Sequence, residues 1–384
     1  MGFHEFSSPY DWSRIAAYKR TAKAAFGGMI DLSVGSPVDP VPDSVRKALA
    51  VAANDPNAYG YPVTAGTADL RAAIAEWFSV TRNVDLQAIH ADVVPTVGSK
   101  EGVALMASLL HCGEGDVVVQ PKVSYPTYEI GTQLAGAKVL KVDDVADVAS
   151  WRNVPGVKAV WVNSPCNPTG EVYSAERMAG IVAAAREIGA VVLSDECYAL
   201  MQWRGAVNGA EGDADSLAST PCALRGDVCL GSAEGVLVLY SLSKQSNMAG
   251  YRTAFIAGDE SLIASMSAYR KQIGQIIPGP VQAAMAAGLR DLESVKVQHA
   301  RYRERLGVLV SALRAYGYCT DMPDGALYVW VRAKSGDCWT DMEQLAKIGI
   351  IASPGEFYGA PECLRFSATA SDEAIASAAE RLAR

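Results

Sequence analysis

Lys244 ends the stretch Ser241-Leu242-Ser243-Lys244, directly after an apolar run, and Arg252 follows eight residues later. A lysine at the tip of a buried strand loses hydration, which depresses its pKa toward a usable neutral amine. A neutral amine condenses with an aldehyde to give an imine. The Ser241 hydroxyl and the Arg252 guanidinium suit a phosphate, the arginine through two parallel hydrogen bonds. A solvated lysine beside an unrelated arginine would give the same letters, so this segment does not decide alone.

Four further stations follow apolar runs. Asp195-Glu196-Cys197-Tyr198 puts an acid where it can pair with a protonated ring nitrogen, as pyridoxal 5′-phosphate (PLP) requires. Tyr198 can hydrogen-bond that cofactor's phenolic oxygen, and an acid capping a local turn is the plain alternative. Asn163-Ser164-Pro165-Cys166-Asn167-Pro168-Thr169-Gly170 forces a defined turn that can hold the Asn167 amide toward a ring oxygen, or is an ordinary turn. Gly98-Ser99-Lys100-Glu101-Gly102 reads as a glycine turn into a helix, whose free N–H groups can seat a phosphate. The Lys100 side chain itself reads as exposed. Leu364-Arg365-Phe366 places an arginine in an apolar strand, where it needs an anion: a substrate carboxylate or a structural acid. Neither a P-loop nor a dinucleotide fingerprint occurs.

The elements that must hold these residues alternate. Strands are expected over 92–97, 116–120, 137–142, 158–162, 190–194, 235–241 and 252–257, with helices over 99–111, 174–188 and 261–273 among them. Runs such as Val191-Val192-Leu193 lack polar alternation, as in strands covered on both faces. The pattern predicts an α/β doubly wound, mostly parallel sheet, with ligands at the carboxyl ends of its strands. Beyond Pro278 come helices over 279–289 and 293–316, strands over 326–331 and 364–368, a helix over 340–348 and a closing helix from Ser371. The expected division is a large α/β domain over 46–277 and a smaller α+β domain from 278–384 with the N-terminal arm 1–45.

The chain has 384 residues, is 50% hydrophobic and carries a net charge of −8, with no basic stripe. Nucleic-acid and membrane-surface roles would want the opposite sign. No apolar stretch has membrane-span length, and Met1–Trp12 lacks the pattern of a secretory signal. Eight cysteines without a Cys-x-x-Cys pair, and four histidines, argue against a metal site. Reduced thiols packed in a core, in a cytoplasmic protein, are the expectation.

Together the stations resemble the class I/II, fold type I, PLP-dependent aminotransferases along nearly the whole chain. The resemblance starts at Leu32-Ser33-Val34-Gly35-Ser36-Pro37 and passes through Tyr61-Pro62, Leu70-Arg71, Gly98–Lys100, Tyr125-Pro126, Asn167–Gly170, Asp195–Tyr198 and Ser241–Arg252 to Arg365. It implies a Schiff-base and proton-shuttle role for Lys244, and a ring-nitrogen partner in Asp195. Tyr198 and Asn167 would contact the phenolic oxygen, and Tyr125 would stack on the ring. Ser241, Arg252 and the backbone at Ser99–Lys100 would bind the phosphate. Arg365 would grip the substrate α-carboxylate, with Gly35 and Asn167 nearby. Tyr61 would reach the neighbouring subunit's phosphate in a homodimer with shared sites.

A narrower resemblance joins Ser33–Pro40, Gly60-Tyr61-Pro62 and Ser241–Arg252 to actinobacterial N-succinyldiaminopimelate aminotransferases, with Met248 where leucine is usual. It implies glutamate-dependent amination of N-succinyl-2-amino-6-oxopimelate in lysine and diaminopimelate synthesis. Rival readings are an aspartate or aromatic aminotransferase, or a PLP-dependent carbon–sulfur lyase. Arg204 and Lys271 are cations that could meet the far end of the substrate.

Overall fold

The computed structural model describes residues 5–203 and 220–384. From the N-terminus come helix α1 (Ala16–Ala24), strand β1 (Ile30–Asp31) and helices α2 (Asp43–Ala53) and α3 (Ala68–Arg82). Then β2 (Ala91–Val97), α4 (Ser99–Leu109), β3 (Val117–Pro121), α5 (Thr127–Leu134) and β4 (Lys138–Val142) alternate. They lead to β5 (Val157–Asn163), α6 (Ala175–Glu187), β6 (Val191–Asp195) and β7 (Val236–Ser241). A single turn α7 (Leu242–Gln245), β8 (Thr253–Asp259), α8 (Glu260–Gln272), α9 (Gly279–Arg290) and the long α10 (Leu292–Ala315) follow. The chain closes with β9 (Tyr328–Arg332), α11 (Cys338–Lys347), β10 (Ile350–Ile351), β11 (Ser353–Pro354), β12 (Cys363–Ser367) and α12 (Asp372–Leu382).

Local chemistry sets several boundaries. Thr67 caps α3 by accepting from Leu70 N, and Ser174 caps α6 by accepting from Arg177 N. Asp291 accepts from Ser294 N, so α10 begins at Leu292, just ahead of its expected start. Ala326 was expected inside a strand, but its φ of 62° is left-handed and β9 begins at Tyr328. Arg252, at φ 57°, likewise stands before β8 rather than in it.

Seven strands form one sheet in the order β2-β8-β7-β6-β5-β3-β4. The strands β4, β3, β5, β6 and β7 run parallel, whereas β8 is antiparallel to both β7 and β2. That reversal brings the first residues of β8 to the edge where its neighbours end, Thr253 opposite Val97 and Ala254 opposite Ser241. Successive residues of β7 feed different cores. Val236 and Val238 join one apolar cluster, Leu237 and Leu239 another. Burying each such side chain stabilises the fold by about 1.5–3 kcal/mol. The uninterrupted apolar letters of this strand therefore reflect cover on both faces.

A three-stranded antiparallel sheet, β11-β12-β9, and the parallel pair β1-β10 share a third cluster with α10, α11 and α12. The N-terminal arm joins it through Ile15, Ala22, Ile30 and Leu32. Helix α9, by contrast, packs on α2 and α3, and its Ala284, Met285 and Leu289 belong to the large-sheet cluster. We therefore propose drawing the start of the smaller unit inside α10, after Val295, rather than at residue 278.

Candidate active site

The sheet edge reached by the ends of β2, β5, β6 and β7 and the start of β8 opens on a cavity of about 380 Å³. Gly35, Ser99, Lys100, Tyr125, Asn167, Asp195, Tyr198, Ser241, Lys244, Arg252 and Arg365 all line it. These come from positions scattered over most of the chain, and the register gathers them. Asn163 lies opposite Asp195 across β5 and β6, and Ser241 ends the next strand but one from β5.

Lys244 sits one turn beyond β7, with Ser241 capping that turn by accepting from Ser243 N at 3.1 Å. Its ammonium donates to the Gly35 carbonyl, and burial pulls its pKa below the ordinary lysine value. Asp195 is buried. Its Oδ2 accepts from Tyr128 Oη at 2.7 Å and its Oδ1 from Cys197 N at 3.2 Å. Tyr128 is fixed by stacking on Trp161, with ring centroids 4.4 Å apart. Burial raises the Asp195 pKa, and the Tyr128 hydrogen bond works against that rise. Both donors are neutral, so a protonated ring nitrogen would be a fitting charged partner.

The next residue, Glu196, has a separate partner. Its carboxylate accepts from Arg82 at 2.9 Å, from Ser194 Oγ at 3.0 Å and from Ala223 N at 2.8 Å. Arg82 and Glu196 side chains are both almost wholly buried. This ion pair ties α3 to the end of β6 and leaves the adjacent Asp195 to the cavity.

In the same cavity, Arg365 donates to Asn167 Oδ1 at 2.8 Å and to the Ser33 carbonyl at 2.7 Å. Its guanidinium lies 4.0 Å from the Tyr328 ring centroid and 4.7 Å from that of Tyr358. Its Nε is buried with no hydrogen-bond partner among the described residues. None of these partners is an acid, so the cation has unused capacity for a carboxylate. Tyr198 and Tyr328 share a hydroxyl–hydroxyl hydrogen bond of 2.7 Å, and burial pushes the Tyr198 phenol well above its usual pKa.

Helix α4 begins at Ser99 behind Gly98, which supplies no side-chain cap, so N–H groups at this end remain free. Gly98 has φ 79°, and a Cβ there would collide with the Arg252 guanidinium. Arginine and helix end thus meet at one spot, together with Ser241 and Ser243. A phosphate at the α4 end, a basic ring nitrogen at Asp195 and an aldehyde at Lys244 would each find matching chemistry, so these residues fit PLP.

Tyr61 lies elsewhere. It is fully exposed and does not line the cavity of its own chain. Lys271 lies in a surface groove with Pro62 and Ala65, and Arg204 lies outside the described residues. The Lys100 ammonium, at the cavity mouth, sits 5.4 Å above the Tyr10 ring. Sequence reasoning missed Tyr10, Trp12, Tyr128, Tyr328 and Tyr358. Tyr128 had a signal, lying one helical turn after Tyr125. The others come from the arm, the small sheet and the turn between β11 and β12, and no spacing links them to the edge of the large sheet. Among the described residues no group of His, Cys, Asp or Glu could hold a metal ion, and no helix could cross a membrane.

Comparison with known proteins bears on the family and the fold. The profile described as aminotransferase class I and II matches residues 27–382. The 4-dedimethylamino-4-oxo-anhydrotetracycline transaminase OxyQ of Streptomyces rimosus is 40% identical over 97% of this chain and 98% of its own. A probable aminotransferase of Mycobacterium tuberculosis is 39% identical, over 97% of this chain and 84% of its own. Among solved structures, a probable N-succinyldiaminopimelate aminotransferase of Thermus thermophilus superposes with a TM-score of 0.83. It is 26% identical, over 97% of this chain and 99% of that one.

Proposed function

This chain belongs to the class I and II aminotransferases, and from that premise we propose that Lys244 holds PLP through its amine and then serves as the proton carrier of transamination. When bound, the cofactor supplies an aldehyde that exchanges amines and a protonated ring that draws electron density from the substrate Cα. Asp195 takes the ring N–H, Tyr198 and Asn167 the phenolic oxygen, and Tyr125 covers one ring face. Ser241, Arg252 and the α4 N–H groups at Ser99 and Lys100 take the phosphate. Arg365 orients the substrate by its α-carboxylate beside Asn167 and Gly35. Lys244 Nζ, released, removes the Cα proton. Tyr10, Trp12 and Tyr358 exclude water. Tyr61 completes the partner's site in a homodimer, which we place in the cytoplasm.

The observation that carries this is one cavity holding a half-buried lysine of lowered pKa, a buried aspartate and an arginine that meets no acid among the described residues. Borohydride treatment of the PLP-saturated protein, followed by peptide mapping, should find the cofactor on Lys244. Lys244→Ala should lose that adduct and lower turnover by at least about a thousandfold, the usual scale for a lost acid–base and covalent group. Transamination at normal rate by that variant would refute the assignment.

For the substrates we propose glutamate as donor and N-succinyl-2-amino-6-oxopimelate as acceptor, in diaminopimelate and lysine synthesis. Support comes from the motif resemblance over Ser33–Pro40 and Ser241–Arg252 and from the Thermus structure. A second reading, an oxo-anhydrotetracycline-like ketone as acceptor, is favoured by the 40% identity to OxyQ. The aromatic walls Tyr10, Trp12, Tyr125 and Tyr358 suit it. A donor–acceptor panel separates them: N-succinyl-L,L-diaminopimelate with 2-oxoglutarate, aspartate, phenylalanine, an oxo-anhydrotetracycline, and cystathionine for lyase activity. Fastest kcat/KM with any substrate but the first overturns the diaminopimelate assignment.

A further inference from the structure

The two segments singled out for their motifs, Ser33–Pro40 and Ser241–Arg252, are joined in space by side chains that the proposed chemistry does not use. Asp39 is the hub. Both its oxygens accept from Arg305 at 2.8 Å, and Gln298 Nε2 donates to its Oδ2 at 2.8 Å. Asp39 and Arg305 side chains are 10% and 3% exposed, so water does not stand in for these bonds. Gln298 passes the chain on, its Oε1 accepting from Asn247 Nδ2 at 3.0 Å. Asn247, three residues after Lys244, also donates to the Pro40 carbonyl at 3.2 Å and accepts from Tyr302 at 3.2 Å.

One end of this chain of bonds moors the loop of Ser33–Pro40, the other the loop that carries Lys244. The loop faces the cavity with Val34, Gly35 and Ser36. Its Gly35 carbonyl receives Lys244 and its Ser33 carbonyl receives Arg365. A shift of this loop would therefore displace partners of both the amine and the guanidinium. Productive geometry tolerates little such displacement.

We propose that Asp39, Gln298 and Asn247 are positioning residues that register the substrate-covering loop against the Lys244 loop, so that Arg365 and Lys244 meet one substrate correctly. None of them lines the cavity. The proposal rests on the reading of that cavity as a transamination site, and one of its two measurements does not need turnover.

The test compares wild type, Asp39→Asn and Asn247→Gly as PLP-loaded proteins. Asparagine keeps the volume of Asp39 while losing its charge. Glycine suits the left-handed φ of 55° at 247 and leaves the Arg305–Asp39 pair intact. Calorimetric titration with maleate, a dicarboxylate that cannot be transaminated, should show binding at least tenfold weaker in Asp39→Asn and at least threefold weaker in Asn247→Gly. The glutamate KM should rise in parallel, with kcat within threefold of wild type and cofactor content unchanged. The double variant should lose less than the product of the single losses, because both cuts sever one chain. Maleate affinity and KM unchanged in both single variants overturn the proposal, as does a loss of kcat and cofactor content with KM constant. Inactivity of the wild-type protein would instead strike the functional reading, leaving the maleate comparison to be judged by itself.

Discussion

At the scale of single residues, the depressed pKa of Lys244 has a consequence that needs no substrate. Burial makes the folded chain give up this proton at lower pH than the unfolded chain does. Between the depressed value and the ordinary lysine value near 10.4, the unfolded state therefore binds more protons, and stability rises with pH. The cost of the buried charge is absent above the ordinary value and grows as pH falls toward the depressed one. The PLP-free protein should show this one-proton contribution, with a slope of at most about 1.4 kcal/mol per pH unit. Lys244→Met should remove it, as urea unfolding at a series of alkaline pH values would show. An identical slope in both proteins would mean that the amine is solvated. Lys244, Asp195 and Arg365 could be found from the sequence because a charged residue at the end of an apolar run, or inside one, is chemically out of place. Tyr328 and Tyr358 could not, since an aromatic residue in an apolar run is ordinary core until its neighbours are known.

At the scale of elements, β8 is the least forgiving. Gly258 faces the Val236 carbonyl so closely that a Cβ would overlap it, at φ 151°. Gly258→Ala must open the β7–β8 pair, and we expect a loss above about 3 kcal/mol, in the class of backbone strain and overpacking. Because Arg252 directly precedes β8, PLP affinity should fall as well. Equilibrium unfolding and a cofactor titration measure the two effects, and near-wild-type values in both would contradict this packing. The strands of the large sheet and the helices α4, α6 and α8 were legible because apolar runs and amphipathic stretches are local signals. The direction of β8 was not, since a strand buried on both faces reads alike in either sense. Helices α2 and α3 are not among the elements expected from sequence, although Leu70, Ala73, Ile74, Trp77 and Phe78 mark a buried helical face. The packing of α9 on those two helices, which moves the proposed domain division, depended on them and was hidden with them.

At the scale of the whole molecule, Tyr61 makes a prediction that one chain cannot satisfy. It is exposed, beside Tyr59 and Val63, which are exposed too. If it completes a neighbour's site, Tyr61→Ala and Lys244→Ala proteins, each weakly active, should regain activity when unfolded and refolded together. A mixed dimer then has one site with both lesions and one with neither. Mixtures no better than the sum of their parts would place Tyr61 outside catalysis. The Arg82–Glu196 pair sets a different kind of limit. Breaking one partner strands a charge in the interior, at about 3–5 kcal/mol, while replacing both with apolar or neutral groups of similar size can be nearly free. Arg82→Met and Glu196→Gln should each unfold at lower urea than the variant carrying both. Over generations, two positions 114 residues apart are thus bound to a shared fate: a lineage can keep both or abandon both, and any ancestor caught between the two states pays in folded protein.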